Sequence, residues 1–298
     1  DDACEATATP QQKSTAMRIA SDMKSLDSSA LDSSWDDVDE EQVPPSVEAG
    51  SAEEAALLMD LETRLHANGA MAEWLAFKET CTLKDLPLVC LRGRKYNVER
   101  ATASVPKLIE MMREMQLGTG VIDESLAKQL RSATMVCLDS KDALGRGVLW
   151  LRIANYNPAA ADATALSRGV AAAMLGALTD PEVQRLGVVI LHDMHGMRLR
   201  NINPPAFKLI LSKVLPTLPV RVSRVCIINP PWIVGKVIMP VVLAFVSKKI
   251  KSRFQIFHGP KGMAPKGVYG FVPAASVPTE LGGEYVFNLD KWLATMGV

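Results

Sequence analysis

The sequence has few aromatic residues and no closely spaced cysteines, and each shortage excludes a class of protein. Only 5% of its 298 residues are aromatic and 22% are charged, which argues against a nucleic-acid-binding, a collagenous or a wholly disordered chain. Its five cysteines lie far apart and form no C-x-x-C pair, so neither a disulfide framework nor a zinc ribbon is indicated. We therefore expect a reducing, cytoplasmic compartment and no nucleic-acid partner.

The short motifs of common enzyme classes are also missing. The sequence contains no G-x-S-x-G nucleophile elbow, no G-x-x-x-x-G-K-[ST] phosphate loop and no G-x-G-x-x-G fingerprint. His192 and His195 are three residues apart, but only His66 and His258 remain as further histidines for a zinc site. We expect neither an enzyme, nor a catalytic cofactor, nor a bound metal.

The net charge of zero conceals an uneven distribution. Residues 1–50 carry twelve Asp and Glu against three Lys and Arg, so the rest carries thirty basic against twenty-one acidic residues. Residues 25–41 are rich in Ser and Asp with few apolar side chains, which predicts a disordered acidic tail over 1–50. The tail is either merely solvated or masks the basic surface. No signal peptide is recognisable, and the missing initiator Met leaves open that the chain is a trimmed piece.

Two patterns follow the tail. From residue 51 to about 120 the spacing of apolar residues predicts helices, with Ser51 and Glu54 at capping-box spacing and Asn97 as an N-cap. Beyond residue 130, strand and helix patterns alternate, which predicts an α/β fold. The predicted strands are 134–138, 148–153, 187–193, 225–229 and 254–257, and the predicted helices are 162–178 and 205–215. The predicted domains are therefore 51–120 (helical) and 121–298 (α/β).

The longest apolar stretch is residues 225–246, whose one charge is Lys236. It contains three prolines and begins as a strand, which leaves about fifteen residues, too few to span a bilayer. Residues 247–253 that follow are basic without an acid. They either complement the dipole at a helix C-terminus or form the basic end of a helix that lies at a membrane interface.

Five segments, in order, resemble elements of the CRAL-TRIO (Sec14-like) lipid-binding family. They are 91–97 (LRGRKYN), 187–196 (GVVILHDMHG), 222–231 (VSRVCIINPP), 249–253 (KIKSR) and 281–283 (LGG). The resemblance covers roughly residues 52–293 and is strongest to the α-tocopherol transfer and retinaldehyde-binding branch. Pro230, His192 and His195 depart from the family pattern.

The resemblance implies an N-terminal helical bundle followed by a βαβ lipid cage with a mobile gate helix, here about residues 232–253. The implied function is to bind one small hydrophobic ligand in a closed cavity and to transfer it between membranes. The implied ligand is a tocopherol, a retinoid, a carotenoid or a phospholipid, and phosphoinositides of an anionic membrane, bound peripherally, would assist its release. The alternative is a phosphoinositide-sensing or scaffold module that transfers no lipid.

The resemblance also maps the two candidate sites onto this sequence. The ligand wall falls on Ser167, Val170, Ala171, Met174, His192, Ile210, Val214, Val225, Trp232, Ile233 and Val237. The phosphoinositide cluster falls on Arg94, Arg221, Lys249 (or its neighbour Lys248) and Arg253. Small side chains along 167–177 indicate either close helix packing or room for a long ligand such as a carotenoid. His192 is either an ordinary core residue or a hydrogen-bonding partner for a ligand hydroxyl or carbonyl.

Overall fold

The computed structural model describes residues 46–232, 234–235 and 248–298, with seven further positions between residues 10 and 21. Most of the predicted acidic tail and most of the predicted gate helix lie outside these residues. The described part is a mixed α/β structure with a helical N-terminal region, as predicted. Among its helices, none is both long enough and apolar enough to cross a membrane.

The N-terminal region is helical because its apolar residues recur at helical spacing and its helix starts are capped. Its helices are α1 (Ala52–Ala67), α2 (Ala70–Lys78), α3 (Leu86–Gly93), α4 (Val98–Glu114) and α5 (Glu124–Arg131). Ser51 accepts a hydrogen bond from the backbone N–H of Glu54, and Asn97 accepts one from that of Arg100, which confirms both predicted caps.

The second hydrogen bond of the predicted capping box does not form, so that part of the prediction was wrong. A capping box requires the Glu54 carboxylate to accept from the backbone N–H of Ser51. That carboxylate accepts instead from the backbone N–H of Gly50, at 2.7 Å, and from the guanidinium of Arg92. A buried cation attracts the carboxylate more strongly than a solvated backbone amide does.

Five strands of the described residues form one sheet in the order β1-β2-β3-β4-β5. They are β1 (Met135–Lys141), β2 (Gly147–Arg152), β3 (Val188–Asp193), β4 (Val222–Ile228) and β5 (Phe254–Phe257). The first pair is antiparallel and the other three pairs are parallel. Parallel neighbours require crossover connections, and helices supply them.

The helices of this half connect the strands and follow the last one. They are α6 (Ala163–Ala177), α7 (Pro181–Leu186), α8 (Pro204–Leu209), α9 (Lys248–Arg253), α10 (Gly259–Met263) and α11 (Leu289–Met296). The α8 helix continues through a π-helical segment, Ile210–Val214, into a last turn, Leu215–Thr217. Single π-helical turns within α-helices occur frequently at functional sites.

Two predicted strand boundaries differ from the structure by three residues, and the others agree to within one residue. The β4 strand begins at Val222, before the predicted 225, because Val222 pairs with Val188 and extends the ladder. The β1 strand continues beyond the predicted 138 to Lys141, through polar residues. These polar residues are compatible with a strand because β1 lies at the edge of the sheet.

Buried arginines tie the N-terminal helices to the α/β part. The Arg168 guanidinium in α6 donates to the carbonyl of Met115 at 2.8 Å and to the carboxylate of Asp123 at 2.6 Å. Arg92 in α3 donates to the side-chain oxygen of Gln184 in α7 at 2.8 Å. These contacts fix the helical region against the layer of helices that covers the sheet.

Candidate ligand cavity and arginine cluster

One face of the sheet presents apolar side chains in two adjacent rows. Partner residues in register form a first row that consists of Met135, Leu151, His192 and Ile227. The second row on the same face consists of Ile190, Val225 and Phe254. Because alternate residues of a strand share a face, all seven side chains point to the same side of the sheet.

These rows form the floor of a cavity of about 190 Å³. Helix α6 covers one side with Leu166, Val170 and Met174, which are four residues apart and therefore lie on one helix face. The remaining wall consists of Ile153, Met194, Met197, Ile202, Phe207, Ile210, Leu211, Leu215 and Val234. The cavity therefore lies between the sheet, α6 and the helix that includes the π-helical segment.

His192 is the one polar side chain among the nineteen described residues that line this cavity. Its Nε2 atom is buried and has no hydrogen-bond partner in the described part of the chain. Burial lowers the pKa of the imidazole to about 4, so the ring is neutral at physiological pH. The cavity thus offers a ligand one uncharged hydrogen-bonding group in an otherwise apolar enclosure.

The structure places five of the predicted wall residues on this cavity: Val170, Met174, His192, Ile210 and Val225. Three others are fully buried but do not line it: Ser167, Ala171 and Val214. Trp232 is 44% exposed and also lies off the wall. Ile233 and Val237 lie outside the described residues.

The register of α6 explains why Ser167 and Ala171 lie off the wall. The helix face toward the cavity carries Leu166, Val170 and Met174. Ser167 and Ala171 each follow one of these residues directly and so belong to the neighbouring face. A shift of one residue rotates the face by about 100°. The Ser167 hydroxyl donates instead to the carbonyl of Ala163 at 2.8 Å. The small side chains therefore do not widen the cavity.

The sequence reasoning missed the remaining wall residues. Of these, Ile190 was recognisable, since it shares the period-2 face of β3 with His192. Met135, Met194 and Met197 carried no signal, because they reach the cavity through strand register and through the loop after β3. Methionine is flexible and polarizable, so it fills irregular walls without a sequence pattern.

A second cavity is larger, about 440 Å³, but differs in chemistry. It lies between β1, the end of α6 and α11, and its wall includes Asp139, Lys141, Asp180 and Lys291. These residues form ion pairs, Lys141 with Asp180 and Lys291 with Asp139, each at 2.8 Å. An apolar ligand would have to displace water from these charged groups, so the smaller cavity is the better lipid site.

Three of the predicted basic residues belong to, or contact, the chain segment of residues 216–222. Arg94 follows α3 and donates to the carbonyl of Pro216 at 3.1 Å, and Arg253 ends α9 and donates to that of Val222 at 3.4 Å. Arg221 directly precedes β4. We call Arg94, Arg221 and Arg253 the arginine cluster. Lys249 belongs to α9, but its side chain lies outside the described residues.

The arginine cluster is buried, which the sequence did not indicate. Arg221 is 8% exposed, and its Nε and Nη2 atoms have no hydrogen-bond partner in the described part of the chain. Burial lowers the pKa of its guanidinium to about 10; the Tyr96 hydroxyl acts to raise this pKa and the positive charge of Arg185 acts to lower it, and the group stays charged at neutral pH. A buried cation that has no counter-ion among the described residues is unfavourable.

Asp193, at the end of β3, has a structural role. Its carboxylate accepts a hydrogen bond from the backbone N–H of His195 at 2.8 Å and so holds the turn after β3. The turn places Met194 and Met197 on the cavity wall. Asp193 thus contributes to the shape of the cavity through its carboxylate, which fixes the backbone of the turn.

Comparison with known proteins agrees with this architecture. Mouse tyrosine-protein phosphatase non-receptor type 9 is 23% identical over 208 residues, 68% of this chain and 33% of that protein. Rat clavesin-1 is 22% identical over 213 residues, which are 69% of this chain and 59% of that protein. Mouse alpha-tocopherol transfer protein-like is 26% identical over 197 residues, which are 65% of this chain and 56% of that protein. The chain therefore spans between a third and about three fifths of the length of these relatives.

The domain match covers the part of the chain that contains the sheet and most of the cavity wall. Residues 131–283 match the CRAL/TRIO domain. This range is just over half of the 298 residues and includes all five strands of the described sheet. The chain belongs to the CRAL/TRIO domain family.

Proposed function

We propose that this chain binds one small hydrophobic ligand in the cavity on the sheet and carries it between membranes. The observation that carries the proposal is the wall, in which eighteen of the nineteen described side chains are apolar. Burying apolar ligand surface there contributes about 25 cal/mol per Å². Membership in the CRAL/TRIO family and the similarity to a protein named alpha-tocopherol transfer protein-like support this function.

The candidate ligands are a tocopherol, a retinoid, a carotenoid and a phospholipid. Residues 232–253 would act as the gate that closes the cavity, a role that rests on the family resemblance. Residues 1–50 would be an acidic tail, 51–120 a helical domain and 121–298 the lipid-binding domain. The protein would be cytoplasmic and would attach peripherally to anionic membranes.

The arginine cluster supports phosphoinositide-assisted release. Arg94, Arg221, Arg253 and Lys249 would bind the phosphates of a phosphoinositide headgroup, since charge-assisted hydrogen bonds to phosphate are strong. Arg253 and Lys249 belong to α9, which is the C-terminal end of the proposed gate segment, residues 232–253. Headgroup binding at α9 would favour an open gate and thereby release the ligand.

No catalytic role or catalytic cofactor is part of this proposal. The phosphatase relative does not alter it, because the chain spans only 33% of that protein's length. The remaining alternative is a phosphoinositide sensor or scaffold that transfers no lipid. The unpartnered Nε and Nη2 atoms of Arg221 favour this alternative as much as they favour assisted release.

The first experiment identifies the ligand of the protein purified from its native source. An absorption spectrum, followed by organic extraction and mass spectrometry, would detect a polyene by its visible bands and any other lipid by its mass. We expect one lipid per chain. An empty extract would favour the sensor or scaffold.

The second experiment separates transfer from sensing. Donor and acceptor vesicles of phosphatidylcholine, with and without phosphatidylinositol bisphosphate in the acceptor, report whether the ligand moves. We expect transfer that is faster toward acceptors with the phosphoinositide. Headgroup binding without lipid movement would show a sensor.

A cavity-filling variant tests whether the transferred ligand occupies this cavity. Val170→Phe places a larger side chain on the wall and should reduce the retained ligand severalfold. Leu75→Phe, at a position that is 53% exposed on α2, is the matched control. Full retention by Val170→Phe would mean that the ligand binds elsewhere.

A further inference from the structure

His192 stands alone among the described side chains around the cavity. Its neighbours in the cross-strand row, Leu151 and Ile227, are aliphatic. The row behind it and the helices opposite it are apolar as well. The described side chains that line the cavity around the imidazole therefore offer it no hydrogen bond.

The buried Nε2 atom of His192 lacks, within the described part of the chain, the hydrogen bond that a buried polar atom normally makes. Leaving such an atom unpaired is unfavourable, so a ligand whose polar group pairs with the imidazole gains binding free energy at this one described position of the wall. A water molecule is a poor partner, because a buried water requires two to four polar groups and the described wall offers one. A hydroxyl or carbonyl carried by an apolar molecule satisfies both the histidine and the wall.

The charge of the site further restricts the class of ligand that can bind. The described wall includes no cationic side chain, and burial keeps the imidazole neutral. A carboxylate or phosphate in this cavity would lose its hydration without gaining a counter-ion. The part of the ligand that contacts the described wall must therefore be uncharged.

We propose that His192 selects an uncharged lipid with a single hydroxyl or carbonyl, which pairs with its imidazole ring inside the cavity. This inference rests on the proposed lipid-binding function and names the class of ligand. Met135, Met174, Met194 and Met197 adapt to the rest of the molecule, since methionine side chains repack easily. The site therefore selects a ligand by its polar group more than by the shape of its apolar part.

The test loads the full-length protein from a lipid mixture and measures what it retains. The protein is incubated with a total lipid extract to which farnesol, farnesyl methyl ether and the corresponding hydrocarbon are added in equal amounts. Bound lipids are extracted after gel filtration and quantified by mass spectrometry. His192→Leu removes the polar atom, His192→Gln restores a hydrogen-bonding group, and Met197→Leu is a wall variant with the histidine intact.

We expect the wild-type protein and Met197→Leu to retain alcohols or neutral carbonyl lipids about tenfold over hydrocarbons. We expect His192→Leu to lose this preference while still retaining lipid, and His192→Gln to recover part of it. Equal retention of hydrocarbons and alcohols by the wild-type protein, retention of lipids with a phosphate in the cavity, or an unchanged preference in His192→Leu would overturn the inference alone. Retention of no lipid at all by the wild-type protein would overturn the proposed function together with it.

Discussion

Two groups of buried arginines differ in their partners. Arg92, Arg146 and Arg168 are 8%, 6% and 7% exposed, and each contacts a carboxylate at 2.6 to 2.7 Å. Arg221 is equally buried, at 8%, yet no carboxylate pairs with it among the described residues. The first group holds helices and turns together, whereas the Nε and Nη2 donors of Arg221 have no partner among the described residues, so equal burial of the same side chain indicates two different roles.

The pair of Arg92 and Glu54 represents the structural group. Its two nitrogen–oxygen contacts are 2.7 and 2.8 Å, and the Tyr96 hydroxyl donates to the same carboxylate at 2.9 Å. The network joins α1 to α3 and, through Gln184, to α7. A paired guanidinium of this kind contributes geometry as well as charge, because its fork matches the carboxylate.

The largest expected effect comes from removing one partner of this pair. Glu54→Ala leaves Arg92 buried without its carboxylate and should lower the free energy of unfolding by about 3–5 kcal/mol. Guanidinium chloride denaturation measures the loss. Asp60→Ala, which breaks the half-exposed Asp60–Arg64 pair on the same helix, should change stability little. Equal losses in the two variants would contradict the distinction between buried and exposed pairs.

The pH dependence of stability gives a smaller effect at the same pair. The Arg92 guanidinium holds the pKa of the Glu54 carboxyl at about 2, below its ordinary value of 4.5. A lowered pKa stabilises the folded state above the unfolded-state value, and this stabilisation is lost as the pH falls from about 4.5 to about 2. The loss should amount to about 3 kcal/mol at most.

Measuring the free energy of unfolding as a function of pH, in the wild-type protein and in Glu54→Gln, tests this prediction. The variant should show a flatter curve between about pH 4.5 and pH 2, because it has no carboxyl to protonate. Parallel curves would mean that other carboxyls dominate the acid response. Asp123, whose pKa is lowered by Arg168, is the first of these to examine.

Replacing Arg221 should not lower the free energy of unfolding, in contrast to Glu54→Ala. Arg221→Met replaces an unpaired buried cation with an apolar side chain of similar length, so stability should be unchanged or rise by about 1 kcal/mol. Affinity for vesicles with phosphatidylinositol bisphosphate should fall about tenfold. Arg131→Met, on the exposed end of α5, is the control and should leave vesicle binding intact. A loss of stability in Arg221→Met would place Arg221 in the structural group.

Local features of this fold were predictable from the sequence. The N-caps at Ser51 and Asn97, the helix over 162–178 and the strand over 254–257 depend on neighbouring residues, and the structure agrees with each. The α6 helix begins after Asp162, whose carboxylate caps it. Short-range hydrogen bonds and period-2 or period-3.6 spacing are visible in any sequence window.

The pairing of distant residues was not predictable in the same way. That Glu54 pairs with Arg92 depends on how α1 packs on α3, and the sequence suggested only a cap. The face of α6 that meets the cavity depends on its rotation over the sheet, so Leu166 was missed and Ala171 was assigned to the wall. Arg221 was predicted as a basic contact, but its burial is a property of the tertiary structure.

The methionines of the cavity give this protein built-in spectroscopic reporters. Four methionines of the described residues line the cavity, and each ends in a methyl group whose NMR signal is sharp and sensitive to its surroundings. Labelling the methionine methyl groups with carbon-13 therefore yields four signals that respond to an occupant, and described methionines away from the cavity, such as Met59 and Met71, serve as an internal reference. Filling and emptying of the cavity can be followed in this way without a dye or a tag, even while the chemical identity of the occupant is undetermined.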